Sequence, residues 1–190
     1  ISSVYEIQPR DEAEYAAACG RLVIMDSAHA SLLRDSGLPE WLSSDRAASI
    51  IAVRHLFSGK SCTIIDFGTT LTVDFIDGEG RYEGGNISLG CRTRFKAINR
   101  YSRSLPLIDT PADSPALGNS LDTSISSGII SGIMFEISGY VCKKEDNIVV
   151  FTGGDAIYFA KRIKNSIFVI CNLVLIGLAL IADGYVNEKN

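Results

Sequence analysis

In the stretch CTIIDFGTTLTVDFIDGEGRYEGGN, residues 62–86, an apolar run ends in Asp66 and turns through Gly68 with Thr69 and Thr70. It leaves as a second run with Leu71, Val73 and Phe75 on one side and Thr70, Thr72 and Asp74 on the other. A carboxylate and hydroxyls delivered to a glycine turn suit a phosphate and its counter-cation, because a carboxylate is a hard oxygen ligand. Further on, NIVVFTGGDAIYFAKRI sets Gly153, Gly154 and Asp155 where a strand gives way to a helix. Such a turn is the ordinary way an α/β protein presents amide donors to a phosphate or nucleoside. Asp45 and Arg46 fall in the first turn of a helix opening at Ser43 or Ser44, where the helix dipole favours a carboxylate.

Two other stretches mimic reactive motifs and fail on spacing. SGKS at 58–61 would need the first glycine of a Walker loop at Arg54, and a strand rather than a helix follows it. GNISLG places Asn86 where a nucleophile elbow requires glycine, with no histidine nearby in sequence. Arg92, Lys96, Arg100 and Arg103 recur at helical spacing with Arg94 beside them. They read as a solvated helix face, or alternatively as a surface for an anion or a partner.

The 190 residues are 46% hydrophobic and 21% charged, enough apolar content to bury one or two cores. A net charge of −4 argues against a surface that coats nucleic acid, and no nucleic-acid partner is expected. Cys19, Cys62, Cys91, Cys142 and Cys171 contain no C-x-x-C pair and read as reduced cytoplasmic thiols; with His29 and His55 the sole imidazoles, a zinc site is not expected. The apolar run Ser166 to Ala182 is interrupted by Asn172 and Gly177, so it reads as a buried strand and helix rather than a membrane span. Residues 1–15 carry acids and no long apolar core, unlike a secretory leader, and an opening ISSV without Met reads as the interior of a longer protein.

Short β-branched runs alternating with helical periodicity predict an α/β architecture. Strands are expected at Ile1 to Val4, Leu22 to Met25, Cys62 to Asp66 and Thr70 to Ile76, the last two joined to a third strand by the turn Asp77-Gly78-Glu79-Gly80. Helices are expected at Asp11 to Cys19, from Ser43 or Ser44 through Phe57, from about Thr93 to Arg103, and at 121–141, where Gly128, Gly132 and Gly139 would let another backbone approach. Ser58-Gly59-Lys60 marks the domain boundary, dividing 1–58 from 59–190.

The segments SSDR (43–46), DFGTTLTVDFID (66–77), GGNISLG (84–90), RFKAINRYSRSLPLI (94–108), SISSGIISGI (124–133), VVFTGGDA (149–156) and NLVLIGL (172–178) follow the order and approximate spacing of the type III pantothenate kinases. The resemblance covers nearly the whole chain. It implies an α/β fold of two ribonuclease-H-like halves of the actin-like ATPase superfamily, the first half (1–58) incomplete and the second spanning 59–190. It also implies phosphorylation of the 4′-hydroxyl of pantothenate, the first step of coenzyme A synthesis, by a homodimeric cytoplasmic enzyme using Mg-ATP and a monovalent cation, potassium or ammonium. Residue by residue, it makes Asp45 the catalytic base and Arg46, with Ser43 and Ser44, the substrate contacts. It makes Asp66 the ligand of the monovalent cation, and Gly68, Thr69, Gly153 and Gly154 the nucleotide contacts.

The chain also departs from that family. It starts beyond the D-x-G-N-T phosphate loop. Ser43 replaces the glycine of G-x-D-R, Ser36 stands where a substrate-contacting tyrosine is usual, and Leu121 where a threonine of the neighbouring subunit reaches pantothenate. Leu89 replaces a proline and Thr70 an alanine. Two functions of different class follow: a divergent pantothenate kinase, or a catalytically weak homologue that binds nucleotide or serves as a transcription accessory protein.

Overall fold

The computed structural model describes residues 1–3, 5–26, 28–29 and 31–187. Its contacts group into two compact units. The first comprises Ile1–Lys60, Ile76–Glu83 and the chain from Asn172 onward; the second comprises Ser61–Phe75 and Gly84–Cys171. The grouping is not a single cut after 58, since the segments 76–83 and from 172 join the earlier unit.

Strands β1 (Cys62–Phe67), β2 (Thr70–Ile76), β3 (Tyr82–Leu89), β4 (Ile148–Thr152) and β5 (Phe168–Val169) form a sheet in the order β3-β2-β1-β4-β5, which belongs to the second unit except for Ile76 of β2 and Tyr82 and Glu83 of β3. The two-residue connection between β1 and β2 permits only a hairpin. Across the other edge of β1, β4 runs parallel, with Cys62 opposite Ile148 and Asp66 opposite Thr152. This register brings the Asp66 end of β1 level with the glycines that follow β4.

One face of the sheet is packed by the helices α4 (Cys91–Tyr101) and α5 (Leu121–Lys143). Leu71, Val73 and Phe75 of β2 join Phe95 of α4 and Ile125, Ile129, Ile133 and Ile137 of α5 in one apolar cluster. Each fully buried side chain of this size contributes roughly 1.5–3 kcal/mol. A capping box holds the start of α5: the Ser120 side chain accepts from the Thr123 amide, and the Thr123 side chain accepts from the Ser120 amide. By length and apolar composition α5 could cross a membrane, yet its isoleucines recur every three or four residues and face the cluster, as in a core helix. The apolar run at 166–182 forms the strand β5 followed by the helix α7 (Leu173–Asn187), the order expected, but β5 is an exposed strand of two residues at the sheet's edge rather than a buried one.

In the first unit, α3 (Ser44–Leu56) packs against α7. Ala47, Ala48 and Ala52 are fully buried, and a Cβ added at Gly177 of α7 would run into the Ala48 carbonyl. Small residues on both helices therefore set this close crossing. The helices α1 (Pro9–Ala18) and α2 (Ser31–Asp35) precede it, the second burying Leu32 and Leu33.

Several expectations change. The strands predicted at Ile1 to Val4 and Leu22 to Met25 shrink to a single parallel bridge between Ser2 and Met25, with no ladder beside it; Val4 lies outside the described residues. The helix predicted from Thr93 to Arg103 runs from Cys91 to Tyr101, so Arg103 lies beyond it. The polar side of β2 is not a solvent face, since Thr72 and Asp74 are buried, Asp74 to 2% exposure. Within the chain itself no backbone comes close to the glycines at 128 and 139, a Cβ at either meeting nothing within 4 Å, and at Gly132 only the Arg94 guanidinium lies near, 4.0 Å away.

Candidate functional site

The carboxyl ends of β1 and β4 build a site largely from backbone. Gly68 N donates to Thr70 O at 3.0 Å and closes the β1–β2 turn. Thr69 O then accepts from Gly90 N at 3.0 Å and from Thr93 Oγ1 at 2.7 Å, tying the turn to the start of α4. Gly90 must be glycine, because a Cβ there would strike the carbonyls of Gly68 and Thr69. Gly153 has a φ of +90°, and its Cβ would collide with the Asp66 carboxylate and the Phe67 backbone. Neither composition nor periodicity reveals these demands. Asp66, Gly68, Thr69, Gly153 and Gly154, read from the sequence as separate pieces, are thus brought together.

A cavity of about 600 Å³ opens over these turns and is lined by Gly68, Thr69, Arg92, Lys96, Asp109 and Asp155 among others. Arg92 and Lys96 come from α4. Asp109 and Thr110 come from the irregular segment 102–120, which the sequence reading did not assign to any site. Arg162 fastens that segment, donating to Ala112 O at 2.8 Å and to Tyr158 O at 2.7 Å while stacking 3.6 Å from the Tyr158 ring centroid. Ser127 Oγ donates to Ala116 O at 2.9 Å and holds its far end. Burial pushes the Asp155 carboxyl up from its ordinary range, with Arg92 pulling the other way. Among the described residues no cluster of three His, Cys, Asp or Glu could by itself hold a metal ion.

The first unit contributes a side-chain site at the start of α3. Ser43 occupies the N-cap position but its side chain makes no cap bond. The Ser44 hydroxyl instead donates to Ser3 O at 3.1 Å and accepts from Ser2 Oγ at 2.8 Å. Asp45 is half-buried, and its Oδ1 accepts from the Arg46 amide at 2.8 Å. Arg46 is a buried cation, 5% exposed; its Nη2 donates to the Tyr82 hydroxyl at 3.1 Å, and its guanidinium lies 5.7 Å from the Trp41 ring centroid. Trp41 and Tyr82 meet edge to face at 6.2 Å. The tryptophan is 68% exposed.

Two further predicted positions lie elsewhere. Ser36 lines a second cavity of the first unit, about 590 Å³, with Arg54 and Arg81; its carbonyl accepts from Arg54 Nη1 at 2.7 Å, and Arg81 pairs with Asp77 and Glu79. Leu121 is the first residue of α5 in the second unit and is exposed.

The sequence profile described as type III pantothenate kinase matches residues 2–143. A type III pantothenate kinase from Phocaeicola vulgatus is 42% identical over 144 residues, which cover 74% of this chain and 60% of the relative. The chain thus spans about three fifths of that relative's length. Among solved structures, a Baf family protein from Campylobacter jejuni superposes with a TM-score of 0.62 at 19% identity, covering 92% of this chain and 89% of that one. MreB5 of Spiroplasma citri bound to AMPPNP superposes with a TM-score of 0.51 at 12% identity, over 96% of this chain and 67% of that one. At these identities the likeness is one of fold alone.

Proposed function

The chain belongs to the type III pantothenate kinase family, and from that premise we propose that the protein transfers the γ-phosphoryl group of Mg-ATP to the 4′-hydroxyl of pantothenate, opening coenzyme A synthesis in the cytoplasm. The observation that carries this reading is the family match over residues 2–143, which includes the Asp45-Arg46 pair at the head of α3 and the Asp66 turn.

In the proposed reaction the pantothenate hydroxyl oxygen forms a bond to the γ-phosphorus as the bond to the bridging oxygen breaks and ADP leaves. Asp45 accepts the hydroxyl proton. An alcohol is a poor nucleophile until its proton has somewhere to go, and a positioned carboxylate supplies that place. Arg46, with Ser43 and Ser44, holds the acceptor. Thr69, Gly68, Gly153 and Gly154 hold the nucleotide, and Asp66 binds potassium or ammonium, whose charge offsets that of the phosphates.

We also propose a homodimer in which Leu121 of one subunit reaches the acceptor of the other. Support comes from α5, where Gly128 and Gly139 have open space around them and Phe135 is 76% exposed, and from exposed Ile87 and Leu89 on β3 at the sheet's edge. Light scattering at micromolar concentration that shows only monomer would remove this part of the proposal.

The deciding experiment incubates the purified full-length protein with pantothenate, Mg-ATP and potassium and follows 4′-phosphopantothenate by mass spectrometry. Stoichiometric ADP and phosphopantothenate are expected. Nucleotide binding without product would instead favour the accessory-protein reading, to which the replacements at Ser36, Ser43 and Leu121 point.

A further inference from the structure

We propose that Arg92 and Lys96 are nucleotide-phosphate ligands: two cations on successive turns of α4 that grip the polyphosphate of the nucleotide lying over the Gly68–Thr69 and Gly153–Gly154 turns. The inference rests on the reading of that cavity as the nucleotide site and adds to it the residues that recognise charge.

Four observations converge on this pair. First, both line the cavity of about 600 Å³, a volume within the roughly 300–1,000 Å³ usual for small-molecule sites. Their spacing of four residues puts them on one face of the helix. Second, the basic residues of this region divide. Arg100 is not among the cavity-lining residues, and Arg103 lies beyond the end of α4, so the pair is selected by position rather than by being basic. Third, α4 is fixed against the turn it would serve, through Gly90 N to Thr69 O at 3.0 Å and Thr93 Oγ1 to Thr69 O at 2.7 Å.

Fourth, the two charges are not committed elsewhere. Among the described residues Lys96 has no ion pair, and Arg92 has a single one, with Asp109 at 4.0 Å between largely exposed side chains, besides its longer-range pull on Asp155. An exposed pair at that distance contributes at most about 1 kcal/mol. The neighbouring Arg94 shows the contrast: it donates to Leu89 O at 2.8 Å and pairs with Glu136, to which Ser88 Oγ also donates at 2.7 Å, so it is spent on structure. Asp109 and Asp155 on the same wall would repel a bare polyanion, and are compatible with one that arrives with a metal ion.

The test uses the full-length protein and calorimetric titration with Mg-ADP, Mg-ATP and adenosine. Arg92→Ala and Lys96→Ala are each expected to weaken Mg-ATP binding about tenfold. Adenosine, which has no phosphate, should bind unchanged. The conservative Lys96→Arg should keep most of the affinity, and the salt dependence of Mg-ATP binding should flatten in both alanine variants. In turnover assays KM for ATP rises while KM for the acceptor stays put. If the unaltered protein binds Mg-ATP and both alanine variants bind it equally well, the pair is a solvated helix face and the inference falls. If the unaltered protein binds no nucleotide at all, the reading of the cavity falls and takes the inference with it.

Discussion

The head of α3 and the paired glycine turns of the second unit are built from opposite materials. At α3 the functional groups are side chains held by other side chains: Arg46 is fixed by the Tyr82 hydroxyl and the Trp41 ring, and Asp45 leads the same helical turn. At the turns the structure is backbone against backbone, with Gly90 and Gly153 placed where no Cβ fits. The first arrangement is broken by removing atoms and the second by adding them. A buried cation is costly unless something orients and compensates it, so a site of that kind needs a specific side-chain environment. A phosphate is met by amide dipoles and flexible cations, so a site of that kind needs close approach and room.

The sharpest way to test the side-chain half of this contrast is Asp45→Asn in the full-length protein. It keeps the side chain's size and most of its capacity as a helix-start acceptor, and removes the proton acceptor. Turnover should fall by roughly 10²- to 10⁴-fold, the range for loss of a general base, with unchanged Mg-ATP affinity and melting temperature. Near-normal turnover at saturating pantothenate would reduce Asp45 to a helix-start carboxylate, which stabilises by about 1 kcal/mol.

For the backbone half the counterpart is Gly153→Ala, one added methyl. Left-handed backbone at a non-glycine residue and the clash with Asp66 and Phe67 together should cost about 2–4 kcal/mol. Denaturant unfolding would read this loss. The control sits next door: a Cβ at Gly154 meets nothing within 4 Å, so Gly154→Ala should shift stability by less than about 0.5 kcal/mol. Equal effects at the two glycines would mean that the turn relaxes, and that adding atoms does not break it.

A gentler perturbation of the side-chain site is Tyr82→Phe. It deletes only the hydroxyl that receives the Arg46 guanidinium. One hydrogen bond to a charged group, partly replaced by water, translates into a three- to tenfold rise in KM for pantothenate, or about 1 kcal/mol. KM for ATP should not move. A rise in both would show that Tyr82 supports folding generally rather than Arg46 alone.

What could be read from the sequence follows the same division. Strand β2 spans Thr70–Ile76 and α3 starts at Ser44, both as periodicity and cap residues predicted, because these signals are local. The Asp66 turn and the Gly153 loop were each visible as motifs. Their meeting was not, since it depends on Asp66 pairing with Thr152 across 86 positions of chain. The burial of Thr72 and Asp74 was missed because alternation tells one face of a strand from the other, not whether both are covered. Asp109 and Thr110 reach the cavity on a segment without regular structure, placed by Arg162 and Ser127 from elements remote in sequence. Nothing local marks such residues. The basic helix face is legible in the sequence, but which members turn towards a cavity depends on where α4 begins, and Gly90's contact with Thr69 sets that.

The smallest expected effect concerns the hairpin that carries Tyr82. Asp77 closes it: Oδ1 accepts from the amides of Glu79 at 2.9 Å and Arg81 at 2.8 Å, and Oδ2 accepts from Arg81 Nε at 2.8 Å. The Arg81 side chain and amide hold this carboxyl below its ordinary value of 3.8. A carboxyl depressed in the folded state stabilises fully above its ordinary value, and that contribution is lost as pH falls through the folded value. Amide exchange at Glu79 and Arg81 should therefore accelerate, relative to the rest of the chain, only below about pH 4. Gly68 and Gly90 amides bond to carbonyls, so they should follow global exchange instead. Asp77→Asn keeps an oxygen for the turn amides but loses the ion pair, and should abolish the acid acceleration while leaving exchange at neutral pH within about threefold. An acid limb that persists in Asp77→Asn would assign it to another carboxyl, and the hairpin's hold on Tyr82 would then rest on its backbone, as the glycine turns do.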